Sequence, residues 1–425
     1  MPFGPSLLFD KSFLQSLSVD EAAMLDQFYR SIVTPVFFTE TLADLAKPEN
    51  KGRSAESIVG GLAERTPVCQ GAANASHWAI AIDDLMGNHY PLDGRPIVAG
   101  GIPVEVQGKK GLVYEKSPET EAFERWQEGK FASVERDFAA RWRRSLASVN
   151  LPEIARAFKA QLRKEDRPRS LDQAKALASR LLTTGGMNFR TFQLAFHILD
   201  VPRRVAFDIV RRWKQGGARP LPEWAPFAAH CVEVDLFFYL AMSNGLISDQ
   251  RPSNLMDMAY LYYLPFAQIF VSSDKLHRAV APLFLNDKQH FVWGPELKAD
   301  LKLADEYFSG LPDEEKARGL FLLASAPPES STMISKHWDD FLPGLRTRER
   351  KPAEPRRKSE ADKELLARSN AFVEAAAARK IAAPPEGEPD HLIIQRFIPK
   401  ERGKWRMFSK EFEEENEKAE RGAPS

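Results

Sequence analysis

Two short apolar runs at distant points of the 425-residue chain each lead into an aspartate. Residues 7–9 precede Asp10, and residues 269–271, followed by two serines, precede Asp274. Runs this short and this rich in aliphatic and aromatic residues predict buried strands of a parallel sheet. Because the carboxyl ends of parallel strands meet at one edge, where ligands bind, we expect both acids at that edge. The sequence therefore predicts an α/β fold with an acidic site.

The pattern of residues 5–45 predicts strand, helix, strand and helix. Ser18 and Glu21 have the spacing of a capping box, and apolar residues follow at helical intervals. A Thr-Pro pair is expected to end this helix, so residues 36–38 are predicted as the second strand. Glu40 is then expected to begin the next helix. Alternation of this kind indicates a parallel sheet flanked by helices.

The same alternation returns in residues 223–330. A helix that includes Asp257 and stops at a proline is followed by the strand that leads to Asp274. The predicted helices cover residues 224–244, 253–265, 295–308 and 313–324, and the predicted strands cover residues 269–271 and 291–293.

The region between these two parts, residues 51–222, is predicted to be mainly helical. Short strands are expected at residues 97–99 and 102–104. Residues 141–180 contain 11 Lys and Arg against 4 Asp and Glu, and residues 201–220 contain 6 against 1. Such local positive charge is typical of helices that follow a nucleic-acid backbone, although it also occurs on solvated helix faces.

Aromatic residues are interleaved with these basic residues. They have two interpretations: stacking on unpaired bases, or packing into the helical core while the charges face water. The residues concerned are Trp142, Phe158, Phe189, Phe192 and Trp213.

The last part of the chain, residues 331–425, is predicted to be a charged linker and tail because Arg, Lys, Glu, Ala and Pro dominate it. One charged helix is expected near residues 359–380. Residues 390–397 are a candidate strand that docks elsewhere on the protein.

Composition excludes several classes of protein. Lys and Arg together number 59, as do Asp and Glu, so the global charge indicates no partner. The two cysteines, Cys69 and Cys231, form no Cys-x-x-Cys pair, which excludes a zinc ribbon and favours a reducing, cytoplasmic location. Asp10 and Lys11 interrupt the first apolar stretch, so no signal peptide is predicted. The longest apolar runs, such as residues 234–242, which include one Asp, are too short to span a bilayer, so no membrane segment is predicted. The chain also lacks the P-loop, His-Glu-x-x-His and Gly-x-Ser-x-Gly motifs.

The four acids and their surroundings resemble the PIN-like nuclease family. In that family an Asp ends the first strand, a Glu begins a helix, a third Asp lies on a later helix and a fourth follows a strand. Asp10, Glu40, Asp257 and Asp274 match these positions in order. The segment from Asp257 to Asp274 is the most specific part of the match. The long separation of Glu40 from Asp257 departs from a compact PIN-like domain and implies a large helical insertion.

The resemblance implies a metal-dependent endonuclease that uses Mg²⁺ or Mn²⁺, with RNA favoured over DNA as the substrate. Asp10, Glu40, Asp257 and Asp274 would be the catalytic, metal-binding residues. Residues near the third and fourth acids are candidates for contacts with the substrate: Arg251, Ser273 and Lys275, with His277 as a further candidate for phosphate binding.

The implied organisation has four parts. Residues 1–50 and 223–330 would form the PIN-like domain, residues 51–222 the helical insertion, and residues 331–425 the tail. Two alternatives remain open: a catalytically silent PIN-like scaffold that binds RNA or a protein partner, and a helical interaction protein in which the acids are accidental. No membrane partner is expected, and the oligomeric state is left open.

Overall fold

The first part of the chain alternates strands and helices in the computed structural model, which describes residues 4–49, 52–183, 188–346, 360–385, 387–396 and 398–414. In chain order these elements are β1 (Ser6–Phe9), α1 (Lys11–Ser16), α2 (Val19–Phe28), β2 (Arg30–Val33), α3 (Pro35–Ala43), a 3₁₀ turn (Asp44–Ala46), α4 (Ala55–Arg65), β3 (Ala72–Ala73) and α5 (His77–Leu85).

The middle part begins with a strand pair and continues as helices. It comprises β4 (Ile102–Val106), β5 (Lys109–Tyr114), α6 (Pro118–Gln127), α7 (Ser133–Ala147), α8 (Leu151–Gln161), a 3₁₀ turn (Lys164–Asp166), α9 (Leu171–Thr183), α10 (Asn188–Ile198), α11 (Arg203–Gln215) and α12 (Leu221–Trp224).

The last part returns to strands and helices. Its elements are α13 (Pro226–Ser243), α14 (Asn254–Tyr260), a 3₁₀ segment (Leu261–Phe266), β6 (Ile269–Ser272), α15 (Lys275–Val280), a 3₁₀ turn (Ala281–Leu283), β7 (His290–Trp293), α16 (Gly294–Ser309), α17 (Asp313–Lys316), α18 (Leu320–Leu323), α19 (Thr332–Phe341), α20 (Glu360–Ala377), β8 (His391–Ile394), β9 (Glu401–Arg402) and β10 (Trp405–Arg406).

A parallel sheet of five strands, in the order β3-β2-β1-β6-β7, forms the centre of the fold. Every residue of β1 and β6 is buried, as expected for inner strands covered by helices on both faces. These two strands pair in register, with Phe9 opposite Val271. The predicted α/β class and the parallel sheet are therefore confirmed. The sheet also brings the two distant acid-bearing segments side by side.

The second strand differs from its prediction. Residues 36–38 lie in α3, and the strand is β2, which ends immediately before Thr34. The Thr34 side chain accepts a hydrogen bond from the Phe37 N–H, and Pro35 occupies the first turn of the helix. A Thr-Pro pair therefore begins a helix here, since proline suits a position whose N–H needs no partner. Glu40 consequently lies in the second half of α3, not at a helix start.

Other predicted elements agree to different degrees. Residues 97–99 form no strand, whereas residues 102–104 belong to β4. The predicted helix at residues 313–324 is two short helices, α17 and α18, because Gly319 adopts a φ of 79° between them. Ala72–Ala73, within the region predicted as an insertion, pairs with β2 at the edge of the main sheet.

Much of the region predicted as a linker and tail packs against the rest of the protein. In α19, Trp338 is buried and donates a hydrogen bond to the carbonyl of Phe28. Strand β8 pairs with β5 in a small sheet that packs against α20 through the buried Phe372. The predicted charged helix and docking strand are thus present. The charged run at residues 348–358 and Phe397 lie outside the described residues.

No helix in the described parts of the chain is both long enough and apolar enough to cross a membrane.

Candidate active site

Asp10 occupies the carboxyl end of β1, at the centre of the sheet. Its N–H donates to the carbonyl of Val271 at 3.3 Å, which continues the pairing with β6. Its Oδ1 accepts from the Phe13 N–H at 2.9 Å and so caps α1. The side chain is held between a strand end and a helix start and is almost fully buried.

Ser272 connects Asp10 with Asp274. The Ser272 hydroxyl donates to Asp10 Oδ2 at 2.9 Å and accepts from the Asp274 N–H at 2.9 Å. Asp274 in turn caps α15, accepting from the Leu276 N–H at 2.6 Å. The first and fourth acids are therefore neighbours at the carboxyl edge of β1 and β6.

Glu40 reaches this edge from α3 and meets the helix that carries Asp257. The Tyr260 hydroxyl, one turn beyond Asp257 on α14, donates to Glu40 Oε2 at 2.6 Å. Lys11, next to Asp10 in the chain, lies 3.9 Å from Glu40 Oε1 and 3.1 Å from Asp44 Oδ1. The second and third acids are thus tied to the same corner of the fold.

His277 is completely buried and joins three parts of the site. Its Nδ1 lies 2.8 Å from the Ser272 hydroxyl and 3.4 Å from Asp10 Oδ2, and its Nε2 lies 2.7 Å from the main-chain carbonyl of Asp257. Both ring nitrogens face oxygen atoms, which favours the doubly protonated ring. Burial alone would lower the pKa of His277, but the hydrogen bond and charge of Asp10, with the charge of Asp257, raise that pKa to about 9.

The acids at this edge differ in electrostatic environment. Burial raises the pKa of Asp10, but the hydrogen bond and charge of His277, with the Ser12 hydroxyl and the Phe13 N–H, outweigh burial and leave that pKa below its usual value. For Asp257, burial is the main effect, and the charges of Glu40, Asp274 and Asp10 add to it against the opposing charge of His277. The pKa of Asp257 is thereby raised to about 7. The Asp257 carboxylate is therefore near enough to Glu40, Asp274 and Asp10 to be repelled by them.

The predicted substrate-binding residues surround this edge. Arg251 is exposed just before α14, and Lys275 is exposed at the first position of α15. Ser273 is partly buried, and its hydroxyl has no hydrogen-bond partner. That hydroxyl packs against Gly294, where any side chain would collide with it. The fourth candidate, His277, is completely buried among protein groups, so it is not exposed for contact with a phosphate.

The donor set suits a hard divalent cation, because carboxylate oxygens are the ligands that Mg²⁺ and Mn²⁺ prefer. A bound cation would also stabilise the ionised form of Asp257, which its protein surroundings stabilise poorly. In the described parts of the chain, however, no group of three or more His, Cys, Asp or Glu side chains is arranged to hold a metal ion. Asp10 and Asp274 each cap a helix in this arrangement, so one oxygen of each carboxylate already accepts a main-chain hydrogen bond.

The sequence did not predict the side chains that connect the acids, which are Ser272, Tyr260 and His277. His277 was a candidate for phosphate binding and not for a buried link between Asp10 and Asp257. Ser272 was visible only as part of the Ser-Ser-Asp run that follows β6. Tyr260 lies three residues after Asp257, on the same helix face, which is the one signal that could have indicated a shared environment.

The aromatic residues of the basic helices divide between the two interpretations. Phe192 and Trp213 are buried against each other with ring centroids 4.6 Å apart, so base stacking by these two is excluded. Phe158 stacks on Tyr239 of α13. Phe189 is 47% exposed, although it also stacks on Trp213. The most exposed aromatic ring of this region is Phe207 of α11, which the sequence did not single out.

Comparisons of the chain with protein-family models, with curated proteins and with solved structures found no match.

Proposed function

We propose that this protein is a PIN-like, metal-dependent endonuclease that cleaves single-stranded RNA at the edge formed by β1 and β6. One observation carries the proposal. Hydrogen bonds join the segments that carry the four acids at the carboxyl edge of one parallel sheet, where α/β proteins bind their ligands. Asp10, Glu40, Asp257 and Asp274 would hold one or two Mg²⁺ or Mn²⁺ ions. Such an ion supplies a nucleophile at neutral pH by lowering the pKa of water.

The protein's own groups would prepare this site in two ways. His277 and Ser272 hold Asp10 at the sheet edge, and Tyr260 holds Glu40 beside α14. Asp257 stays poorly compensated, so a cation that enters the site relieves its repulsion with the other carboxylates. Strongly perturbed acids of this kind concentrate at functional sites.

Arg251 and Lys275 would bind the phosphates on either side of the cleaved bond. Each is exposed and lies next to an element that carries a proposed metal ligand, α14 or α15. The basic helices α7 to α11 would form the insertion that binds the rest of the strand. Arg203, Arg204 and Arg211 flank the exposed Phe207 at helical spacing, which suits phosphates and an unpaired base.

Cleavage of a labelled single-stranded RNA by purified protein tests this proposal. We expect cutting with Mn²⁺ or Mg²⁺, loss of cutting on chelation, and products with a 5′-phosphate and a 3′-hydroxyl. Asp10→Asn and Asp274→Asn should each lower the rate by at least about 1000-fold, equivalent to about 4 kcal/mol, because each removes a charged ligand. RNA binding by both variants should persist, which separates a chemical defect from unfolding.

A product with a 2′,3′-cyclic phosphate, or cutting that survives chelation and both substitutions, would contradict this mechanism. Absence of cutting with any metal would favour the second candidate, a PIN-like scaffold that binds RNA or a protein partner. That candidate also has an observation in its favour: Asp10 and Asp274 are engaged as helix caps, and no described set of side chains is already arranged around an ion.

A further inference from the structure

A cavity of about 380 Å³ lies between α8 and the carboxyl end of α13, outside the acidic edge. Its volume falls in the range of small-molecule sites, roughly 300–1,000 Å³, and is suitable for a nucleotide. The cavity separates the basic helices from the segment that leads into α14.

The walls of this cavity differ in chemistry. Arg156 and Lys159 lie three residues apart on α8, so both side chains project from one helix face. Both are exposed. The Arg156 Nε donates to the carbonyl of Pro152 at 3.3 Å, and among the ion pairs of the described chain none joins Arg156 or Lys159 to a carboxylate. Asp249 lies on the facing segment. Between them, the apolar lining includes Ala155, Met242 and Ile247.

The cavity adjoins the helix that carries the third acid. Ser248 lines the cavity, and its main-chain carbonyl accepts a hydrogen bond from the side chain of Asn254 at 2.9 Å. Asn254 begins α14, and Asp257 follows three residues later. Asn254 and Asp257 are one helical turn apart, a rise of about 5.4 Å, so the segment that lines the cavity is hydrogen-bonded to the turn of α14 that carries the third acid.

We propose that this cavity binds one nucleotide of a single-stranded RNA whose neighbouring phosphodiester lies at the acidic edge, an inference that rests on the proposed function. Arg156 and Lys159 bind the phosphate, since they form the cationic wall. The apolar lining contacts the base. Asp249 repels phosphate and accepts a hydrogen bond from a sugar hydroxyl, which fixes the direction of the strand.

Binding of a fluorescent 5′-phosphorylated uridine hexanucleotide, measured with EDTA in the Asp10→Asn background, tests the inference without any cleavage. We expect the double variant Arg156→Ala/Lys159→Ala to bind about tenfold more weakly, with a salt slope smaller by roughly 0.7 for each phosphate that the variant no longer binds. The matched control is Arg163→Ala/Lys164→Ala, which removes two exposed cations just beyond α8. Circular dichroism melts of both double variants check that the fold is unchanged.

Equal affinity and equal salt slope in the two double variants would overturn the inference, as would failure of the hexanucleotide to bind the Asp10→Asn protein. The wild-type cleavage assay separates this failure from failure of the proposed function. If wild type cuts RNA and the cavity variant binds and cuts like its control, only the cavity inference is wrong. If wild type cuts nothing but binding still depends on Arg156 and Lys159, the cavity inference stands and the nuclease proposal is wrong.

Discussion

The buried Asp26 on α2 and the half-buried Asp257 on α14 show opposite electrostatic arrangements. Asp26 accepts hydrogen bonds from three consecutive main-chain N–H groups, those of Val68, Cys69 and Gln70, at 2.8–2.9 Å. It also pairs with the buried guanidinium of Arg402. The charge of Asp26 is therefore stabilised by main-chain hydrogen bonds and an ion pair from groups that the fold holds in place.

Asp257 lacks such compensation. Its strongest environmental effect is burial, and three other carboxylates oppose its ionisation, so its pKa rises to about 7. The one opposing influence is the cation of His277, which is already bound to Asp10. The folded protein therefore contains an acid whose ionised form its surroundings do not stabilise.

The difference between these two acids suggests a criterion that separates carboxylates that stabilise the fold from carboxylates that bind an external group. A carboxylate whose hydrogen-bonding and ion-pair partners are all present holds elements together. Asp26, for example, joins three parts of the chain: α2, β9 and the segment that precedes β3. A carboxylate without such partners is a candidate for binding something external, because a strained site that serves only the fold has no reason to persist.

Removal of the compensated acid should have the largest effect on stability. In Asp26→Ala, the Arg402 charge and three N–H groups lose their partner inside the protein, so we expect the free energy of unfolding to fall by about 3–5 kcal/mol. Urea denaturation measures it. The matched control is Asp20→Ala on the same helix, whose partner Lys404 is 44% exposed and whose loss should cost below about 1 kcal/mol. If Asp26→Ala and Asp20→Ala lowered the free energy of unfolding equally, the buried partners of Asp26 would not be what makes that acid important for stability.

Removal of the uncompensated acid should act in the opposite direction. The folded-state pKa of Asp257 lies above its unfolded value, so ionisation destabilises the fold as pH rises from about 4 to about 7. Without metal, Asp257→Asn should raise the free energy of unfolding by about 2 kcal/mol at pH 8. The full change in the pKa of Asp257 would correspond to about 4 kcal/mol, but water reaches the side chain and reduces the effect. Denaturant titrations between pH 4 and pH 8 measure this.

The pH series contains its own control for Asp257→Asn. The gain should fall to below about 0.5 kcal/mol near pH 4, where the carboxyl is neutral in the folded state and about half ionised in the unfolded state. A gain independent of pH would point to packing or hydrogen bonding instead of charge. A large loss of stability at pH 8 would show that Asp257 has a structural role like that of Asp26.

Charges that are neither buried nor crowded should have the smallest effect on stability and should act on RNA binding instead. Reversal of Arg143, Arg144, Arg211 and Arg212 to Glu should weaken RNA binding strongly and reduce the log–log salt slope by roughly 0.7 for each phosphate that these arginines bind. Filter binding over a range of salt concentrations measures both the affinity and the slope.

The control for the basic helices is reversal of Lys302 and Arg318, exposed cations on α16 and after α17. These lie outside the region of local positive charge. An unchanged slope for the four-residue variant would mean that the basic faces of α7 and α11 are only solvated, and the comparison would then concern the acidic edge alone.

Several features of the fold could be predicted from sequence because local signals and burial agree there. Residues 7–9 and 269–271 are short, apolar and followed by an acid, and both are inner strands. The helix predicted at residues 224–244 is α13, whose apolar residues surround the whole helix because it is buried between α5, α8 and α9.

The errors have physical causes too. Residues 36–38 have the composition of a strand, but Thr34 and Pro35 supply a helix cap, and packing of Phe37 against Phe9 stabilises the helix. Partners such as Tyr260 and Arg402 could not be found, because their contacts join segments separated by 220 and 376 residues. Local pattern contains no information on pairing at that range.

The pairing of β1 with β6 has a consequence for biosynthesis. The ribosome completes β1 long before its central neighbour exists, since Ser272 contacts Asp10 across a separation of 262 residues. Such a contact order implies slow formation of the sheet centre. The acidic edge therefore cannot assemble on a nascent chain until the basic helices have emerged, so any activity at that edge is withheld until the surface proposed to select its substrate is already present.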